Sequence, residues 1–219
     1  MARQSKFVPR MGFEGILRHH LFGNLPGQPL PALIEDMTLP TPQSSYGIQK
    51  FIGEQLVADF SRKGFIAGRS CRLMTVSVRA GKPNGAASSF FSGMIREPLA
   101  GVRAVVPVGP ETPVALSSPA RTVEGLIRVA EVTDAQWGPL TAINMPALRT
   151  TVGDMAQALE RVAGPVATSL LDWTPDPAIL KLVKTWPGNV ASARANAMGL
   201  HADSDFETVI RDYVRENPS

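Results

Sequence analysis

The sequence predicts an α/β protein that ends in helices, and three observations carry that reading. Apolar residues recur at spacings of three and four over residues 44–63. A β-branched and apolar run, "CRLMTVSVRAG" at 71–81, follows directly. Strand-like and helix-like stretches then alternate until two amphipathic segments, "DPAILKLVKTWP" and "DSDFETVIRDYVRE", close the chain.

Taken in order, the first twenty residues show no clear period. Residues 21–43 hold five prolines and read as a long irregular surface loop; such loops are often functional. The first helix spans about 44–63. Ile48, Phe51, Ile52, Leu56 and Phe60 form its stripe, Pro42 and the Ser44–Ser45 pair signal its start, and Gly64 its stop. After the strand at 71–81 comes the turn-rich "GKPNGAASS", then "FFSGMIREPLAG", a short helix expected to close before Pro98. "VRAVVPVG" and "PVALSSP" are strand candidates. "ARTVEGLIRVAEV" places Val123, Leu126, Ile127 and Ala130 on one helix face. "LTAINMPA" reads as a strand. In "TVGDMAQALERVAG" Thr151 can cap a helix with Asp154 three residues on, and Gly164 can end it. No internal repeat is visible.

Composition narrows the function classes. Hydrophobic residues make up 44% and charged residues 19% of 219, as in a folded chain with a sizeable core. The net charge of +3 comes from scattered residues, which argues against a nucleic-acid surface. The one cysteine, Cys71, cannot form an internal disulfide, and no Cys/His cluster has zinc spacing. No stretch approaches the roughly 20 apolar residues a membrane crossing needs. Arg3, Lys6 and Arg10 lack the apolar core of a signal peptide, so a reduced, cytoplasmic setting is expected.

The stretch that carries chemistry is "SSYGIQK". Residues four apart share a helix face, so Tyr46 and Lys50 can serve one point. Hydride transfer from an alcohol uses such a pair: a base must take the hydroxyl proton as the carbon hydride leaves, and a nearby ammonium favours a tyrosine's phenolate form. On spacing alone the pair also reads as a tyrosine at a helix start beside a solvated lysine, which chance readily supplies.

The flanking residues are more specific. Ser45-Tyr46-Gly47, Gln49-Lys50, Gly53-Glu54, Arg72-Leu73, Ser77-Val78-Arg79, Gly81-Lys82-Pro83-Asn84, Ala87-Ser88-Ser89-Phe90 and Arg96-Glu97-Pro98 together resemble the extended short-chain dehydrogenase/reductases. Within that NAD-dependent epimerase/dehydratase family the likeness is to the D-erythronate dehydrogenase branch. It continues through "SSPARTVEGLIRVAE", "INMPALRTTVGDMAQALERVAG" and "TWPGNVASARANAMGLHAD", covering about residues 21–214. The resemblance implies the C-terminal part of a Rossmann-type parallel sheet with a helix-rich substrate-binding domain. It divides the chain at about 1–20 (unmatched), 21–82 (Rossmann remnant) and 83–219 (mainly substrate domain with a helical cap). It implies NAD as cofactor and oxidation of a small sugar acid, such as D-erythronate, at a secondary alcohol. Tyr46 would be the acid/base, Lys50 would favour its phenolate and hold the cofactor ribose, and a homodimer would form through the helix that carries them.

The departures are as informative. Such enzymes hold cofactor phosphates with a Gly-x-x-Gly-x-x-Gly turn between a first strand and helix. Gly12 and Gly15 in "MGFEGILR" mimic two of those glycines, but Arg18 stands at the third place and Pro9 spoils the preceding strand. The family's catalytic serine precedes a Phe-Gly; before Phe22-Gly23, Leu17 and Arg18 fill the serine places. Two readings therefore stand beside the dehydrogenase: a nucleotide-sugar epimerase or dehydratase, and a catalytically inactive fragment that binds NAD weakly or not at all.

Remaining candidates are weaker. Arg79, Asn84 and Ser88 follow a strand, where ligands of α/β sheets gather, and suit a hydroxy-acid carboxylate; ordinary loop polarity is the competing reading. Arg121 is a further substrate candidate. His19-His20 lacks a third metal ligand, so no metal is expected. Cys71 reads as a buried small residue, and Trp137, Trp173 and Trp186 as core or cap packing.

Overall fold

A computed structural model describes residues 15–17, 21–23, 25, 29–81 and 86–218. In chain order the elements are β1 (Gly15–Leu17), α1 (Ser45–Arg62), β2 (Cys71–Leu73), β3 (Thr75–Val76), a 3₁₀ turn (Ala87–Ser89), α2 (Phe90–Leu99), β4 (Ala104–Val106) and β5 (Pro113–Ser117). There follow α3 (Pro119–Glu131), α4 (Asp134–Trp137), β6 (Ile143–Asn144), β7 (Leu148–Thr151), α5 (Val152–Thr168), β8 (Leu171–Trp173), α6 (Pro177–Val183), α7 (Ala193–Ala197) and α8 (Phe206–Glu216). The fold is α/β, as the alternation required. The strands β1, β2 and β6 form a parallel sheet with β2 in the middle. A second sheet pairs β3 parallel with β5 and β5 antiparallel with β7, and β4 pairs parallel with β8.

The run at 71–81 forms not one strand but two. The chain leaves the first sheet at the buried Met74 and pairs with β5 from Thr75 on. Because β2 and β3 are nearly continuous, one chain direction crosses both sheets. The antiparallel β7, together with β8, α4 and α7, has no counterpart among the sequence's expected elements: each is five residues or shorter, too brief to display a period.

Helix ends follow local chemistry. The Ser44 hydroxyl accepts the Gly47 N–H at 3.1 Å, capping α1. At α5 the expected capping box forms in full, with Thr151 Oγ1 accepting from Asp154 N and Asp154 Oδ2 accepting from Thr151 N. Gly164 breaks α5 as expected, at φ 79°, a conformation that disfavours a side chain, and Pro165 opens one more turn to Thr168. The helix at 90–99 does not stop before Pro98. Proline's missing N–H costs one helical bond, but Ala100, Gly101 and Val102 donate to carbonyls of residues 96–98 and close the last turn beyond it.

Periodicity did not specify which way the helices face. A helix normally turns its apolar stripe to the core. On α1, Ile48, Ile52, Leu56 and Phe60 are instead 47%, 52%, 55% and 45% exposed, and the residues it buries are Gly47 and Glu54. Phe51 packs against the Leu21, Phe22 and Ile34 cluster, and Phe60 meets the Phe65 ring edge-on. On α3, Val123 and Ile127 are likewise more than half exposed, while Gly125 and Val129 are buried and Leu126 packs on the core.

Two larger cores fill the rest. One joins α2, β4, β5, α5 and α8 through Phe91, Met94, Ile95, Leu116, Met155, Leu159 and Ile210. The other lies around the first sheet and comprises Cys71, Ile143, Met145, Val129, Trp137 and Met198 among others. Trp137 is buried and Trp186 packs near Phe91 with ring centres 6.2 Å apart, but Trp173, the last residue of β8, is exposed. The proline-rich loop is pinned: Ile34 is buried, donates to Asn189 O and accepts from Ala191 N.

The α5 cap gives a direct check on this local accounting. Thr151→Ala removes the hydroxyl that accepts the Asp154 N–H and is expected to cost about 1 kcal/mol in urea unfolding. Thr151→Ser, which keeps the oxygen, should lie close to the parent; equal losses in both would show that the cap hydroxyl is not what holds this end.

Candidate active site

The helix α1 is the connection between the parallel neighbours β1 and β2, the place where an α/β sheet builds sites. Its first turns carry Tyr46, 40% exposed, and Lys50, half-buried, on one face. The Lys50 ammonium lies 5.6 Å from the Tyr46 ring centre, within cation–π range. The chain thus brings the two expected residues together, with the tyrosine accessible from solvent.

What seats α1 is an ion pair that the motif search did not single out. Arg72, on the middle strand β2, donates from Nε to Glu54 Oε1 at 2.9 Å and from Nη2 to Glu54 Oε2 at 2.8 Å. Both side chains are almost wholly buried, and the Arg72 guanidinium lies 5.5 Å from the Phe22 ring centre. The signal was present in the sequence: a glutamate inside an apolar helix and an arginine second in an apolar strand both demand a partner.

A second polar set holds the approach to α1. Asp36 accepts from Asn144 N at 3.0 Å and from Arg194 N at 3.1 Å. The Arg194 guanidinium donates to Trp137 O, Pro139 O and Thr141 Oγ1 and lies over the Trp137 ring. Burial pushes this guanidinium below its ordinary range and Arg72 adds to the effect, while Asp36 opposes it.

The substrate candidates divide. Ser77 N donates to Ser117 O where β3 and β5 run side by side, so the Arg79 loop and the start of α3 with Arg121 share one strand end. Arg79 is half-buried; its N–H donates to Ser92 Oγ at 3.1 Å and its carbonyl accepts from Arg96 Nη1 at 2.9 Å. Ser88 is buried in the 3₁₀ turn before α2. Arg121 is exposed and pairs with Glu124 at 2.7 Å. Asn84 lies outside the described residues, as do Gly12, Arg18 and the His19-His20 pair. Gly15 begins a strand rather than a phosphate-binding turn. Among the described residues no group of three His, Cys, Asp or Glu side chains could hold a metal, and no helix is long and apolar enough to cross a membrane. Cys71 is buried, and that burial pushes its thiol up to about 12, which leaves it protonated and inert at neutral pH.

No family model matches the chain. It is 46% identical over 190 residues to a D-erythronate dehydrogenase of Cupriavidus necator, covering 87% of this chain and 59% of the relative. A D-erythronate dehydrogenase of Haemophilus influenzae is 40% identical over 188 residues, covering 86% and 60%. The chain therefore spans about three-fifths of the length of these curated relatives. Among solved structures, a nucleoside-diphosphate-sugar epimerase from Agrobacterium tumefaciens superposes with a TM-score of 0.86 at 38% identity, over 94% of this chain and 58% of that one. The L-threonine 3-dehydrogenase of Trypanosoma brucei, at TM-score 0.81 and 21% identity, covers 94% of this chain and 62% of its own and shares the fold.

Proposed function

The chain is a relative of the D-erythronate dehydrogenases on a Rossmann-type short-chain dehydrogenase/reductase fold, and from that premise we propose that it serves the NAD-dependent oxidation of a small sugar acid at a secondary alcohol. The observation that carries the reading is the shared face of α1, with Tyr46 open to solvent and Lys50 beside it. In this reading the Tyr46 oxygen takes the proton of the substrate hydroxyl. Lys50 places its ammonium beside the Tyr46 ring and would donate a hydrogen bond to the nicotinamide ribose. The hydride acceptor would be supplied by NAD when bound. A sugar acid also needs its carboxylate held away from the reacting carbon, and Arg79, at the end of β3, is the group we assign to it; Ser88, Asn84 and Arg121 are secondary candidates.

The fit to NAD is partial. Tyr46 and Lys50 suit its nicotinamide-ribose end, but no Gly-x-x-Gly-x-x-Gly turn is encoded in these 219 residues to receive the pyrophosphate. The 219-residue chain by itself is expected to show no saturable NADH binding below roughly 100 μM, about 5.5 kcal/mol, in a fluorescence titration. Saturable binding there would mean that the first forty residues hold phosphates in another way. The epimerase-type neighbour supports a second reading, a nucleotide-sugar substrate; tight binding of a nucleoside diphosphate in preference to D-erythronate would favour it.

We further propose that a second copy of the chain covers α1. Ile48, Ile52, Leu56 and Phe60 repeat every fourth residue, a ridge that can mesh with its own image across a two-fold axis. Sedimentation should give a dimer for the parent and a monomer for Ile52→Lys/Leu56→Lys; a monomeric parent would refute the contact.

The chemistry is tested by fusing the relatives' N-terminal cofactor portion to this chain. In that protein Tyr46→Phe is expected to lower D-erythronate turnover by about 10²–10⁴-fold while NAD still binds. Lys50→Met should impair both. Full activity in Tyr46→Phe would place proton transfer on another group.

A further inference from the structure

We propose that Ser92 and Arg96, on α2, are positioning residues that hold Arg79 in place as a preformed carboxylate-binding arm. This rests on the reading above that Arg79 receives the substrate's carboxylate. Two features of the described residues carry it, and the first is an asymmetry among the arginines. Arg69, Arg72, Arg96 and Arg194 are buried or half-buried, and each guanidinium is engaged by the chain's own carbonyls or carboxylates. Arg79 is half-buried too, yet among the described residues its guanidinium makes no hydrogen bond, ion pair or ring contact. Arg121, at the same strand end, is already taken by Glu124. A planar fork of donors left unsatisfied at the carboxyl end of a parallel strand calls for a planar acceptor, and a carboxylate matches it with two parallel bonds.

The second feature is what has been done to the backbone. Both peptide groups of Arg79 are tied to α2, its N–H to the buried Ser92 hydroxyl and its carbonyl to Arg96, which Glu97 in turn holds at 2.5 Å. Two residues earlier, the buried Ser77 donates its hydroxyl to Phe91 O at 3.0 Å and its N–H to Ser117 O at 3.0 Å. Four hydrogen bonds thus fix three residues of loop to the start of α2 and the end of β5. A loop with its backbone fixed and its side chain free loses little entropy when an anion arrives, because only the arginine's rotamers remain to be ordered.

The test uses the 219-residue chain with D-erythronate as the probe. The Arg79 Nε–H resonance, identified by its loss in Arg79→Lys, is followed as the acid is added. A saturable shift is expected in the parent. Ser92→Ala and Arg96→Gln should bind about three- to tenfold more weakly at a temperature where each variant is fully folded, each having lost the hydrogen bond that ties the arm to α2. Arg96→Lys, which still offers that carbonyl a donor, should recover most of the affinity. If the parent shift saturates but Ser92→Ala and Arg96→Gln bind equally well, the positioning role is overturned and the Arg79 reading survives. Weakened binding only in step with a lowered midpoint assigns the two residues to general stability and overturns it as well. A parent whose Arg79 resonance does not move refutes the Arg79 reading, and the arm with it.

Discussion

The buried pair of Glu54 and Arg72 is the contact on which the candidate site depends. Most helices of an α/β protein sit on their sheet through an apolar stripe, and α1 cannot, since four of its large apolar residues face outward. Against the sheet side it presents Gly47, Phe51 and Glu54. Burying one phenylalanine contributes on the order of 1.5–3 kcal/mol. Stranding one charge of a buried pair costs about 3–5 kcal/mol. The pair is therefore the larger constraint on where α1 lies, and its two parallel hydrogen bonds also fix the helix's rotation. Tyr46 and Lys50 inherit that orientation, about two turns and one turn upstream of Glu54 respectively.

The same logic runs along β2. Arg72 stands in register with Asn144 on β6, whose N–H is bonded to Asp36, and Asp36 also accepts from Arg194. The loop before α1, the middle of the sheet and the segment around α7 are thus joined by polar groups in addition to the apolar core around the first sheet. Beyond Met74 the chain enters the second sheet, and there the apolar core of α2, α5 and α8 takes over. The proposed acid/base pair on the ion-paired side and the proposed carboxylate arm on the side of the second sheet are joined by the few residues from Arg72 to Arg79.

Long periodic elements were legible in the sequence. The helix at 45–62, the α5 capping box and the Gly164 break follow from spacing and cap chemistry, and Tyr46 and Lys50 share the face that their separation requires. What periodicity cannot convey is which way a stripe points. On α1 and α3 it identified the helix but not the direction of the stripe, because an exposed apolar ridge has the same period as one that faces the chain's own core. Elements of two to five residues, such as β7 and α7, carry no period at all and are held by neighbours distant in sequence. Glu54 and Arg72 were visible as individually awkward residues, but nothing local says that they answer one another across 18 positions.

Native-state hydrogen exchange on Glu54→Gln tests the anchoring role most directly, because it reports the opening of α1 separately from the rest of the chain. The account predicts that amides at 48–62 lose at least about tenfold in protection, roughly 1.4 kcal/mol, while those of α2 and α5 keep theirs. Unchanged protection across α1, or an equal fall in α1, α2 and α5 together, would contradict it.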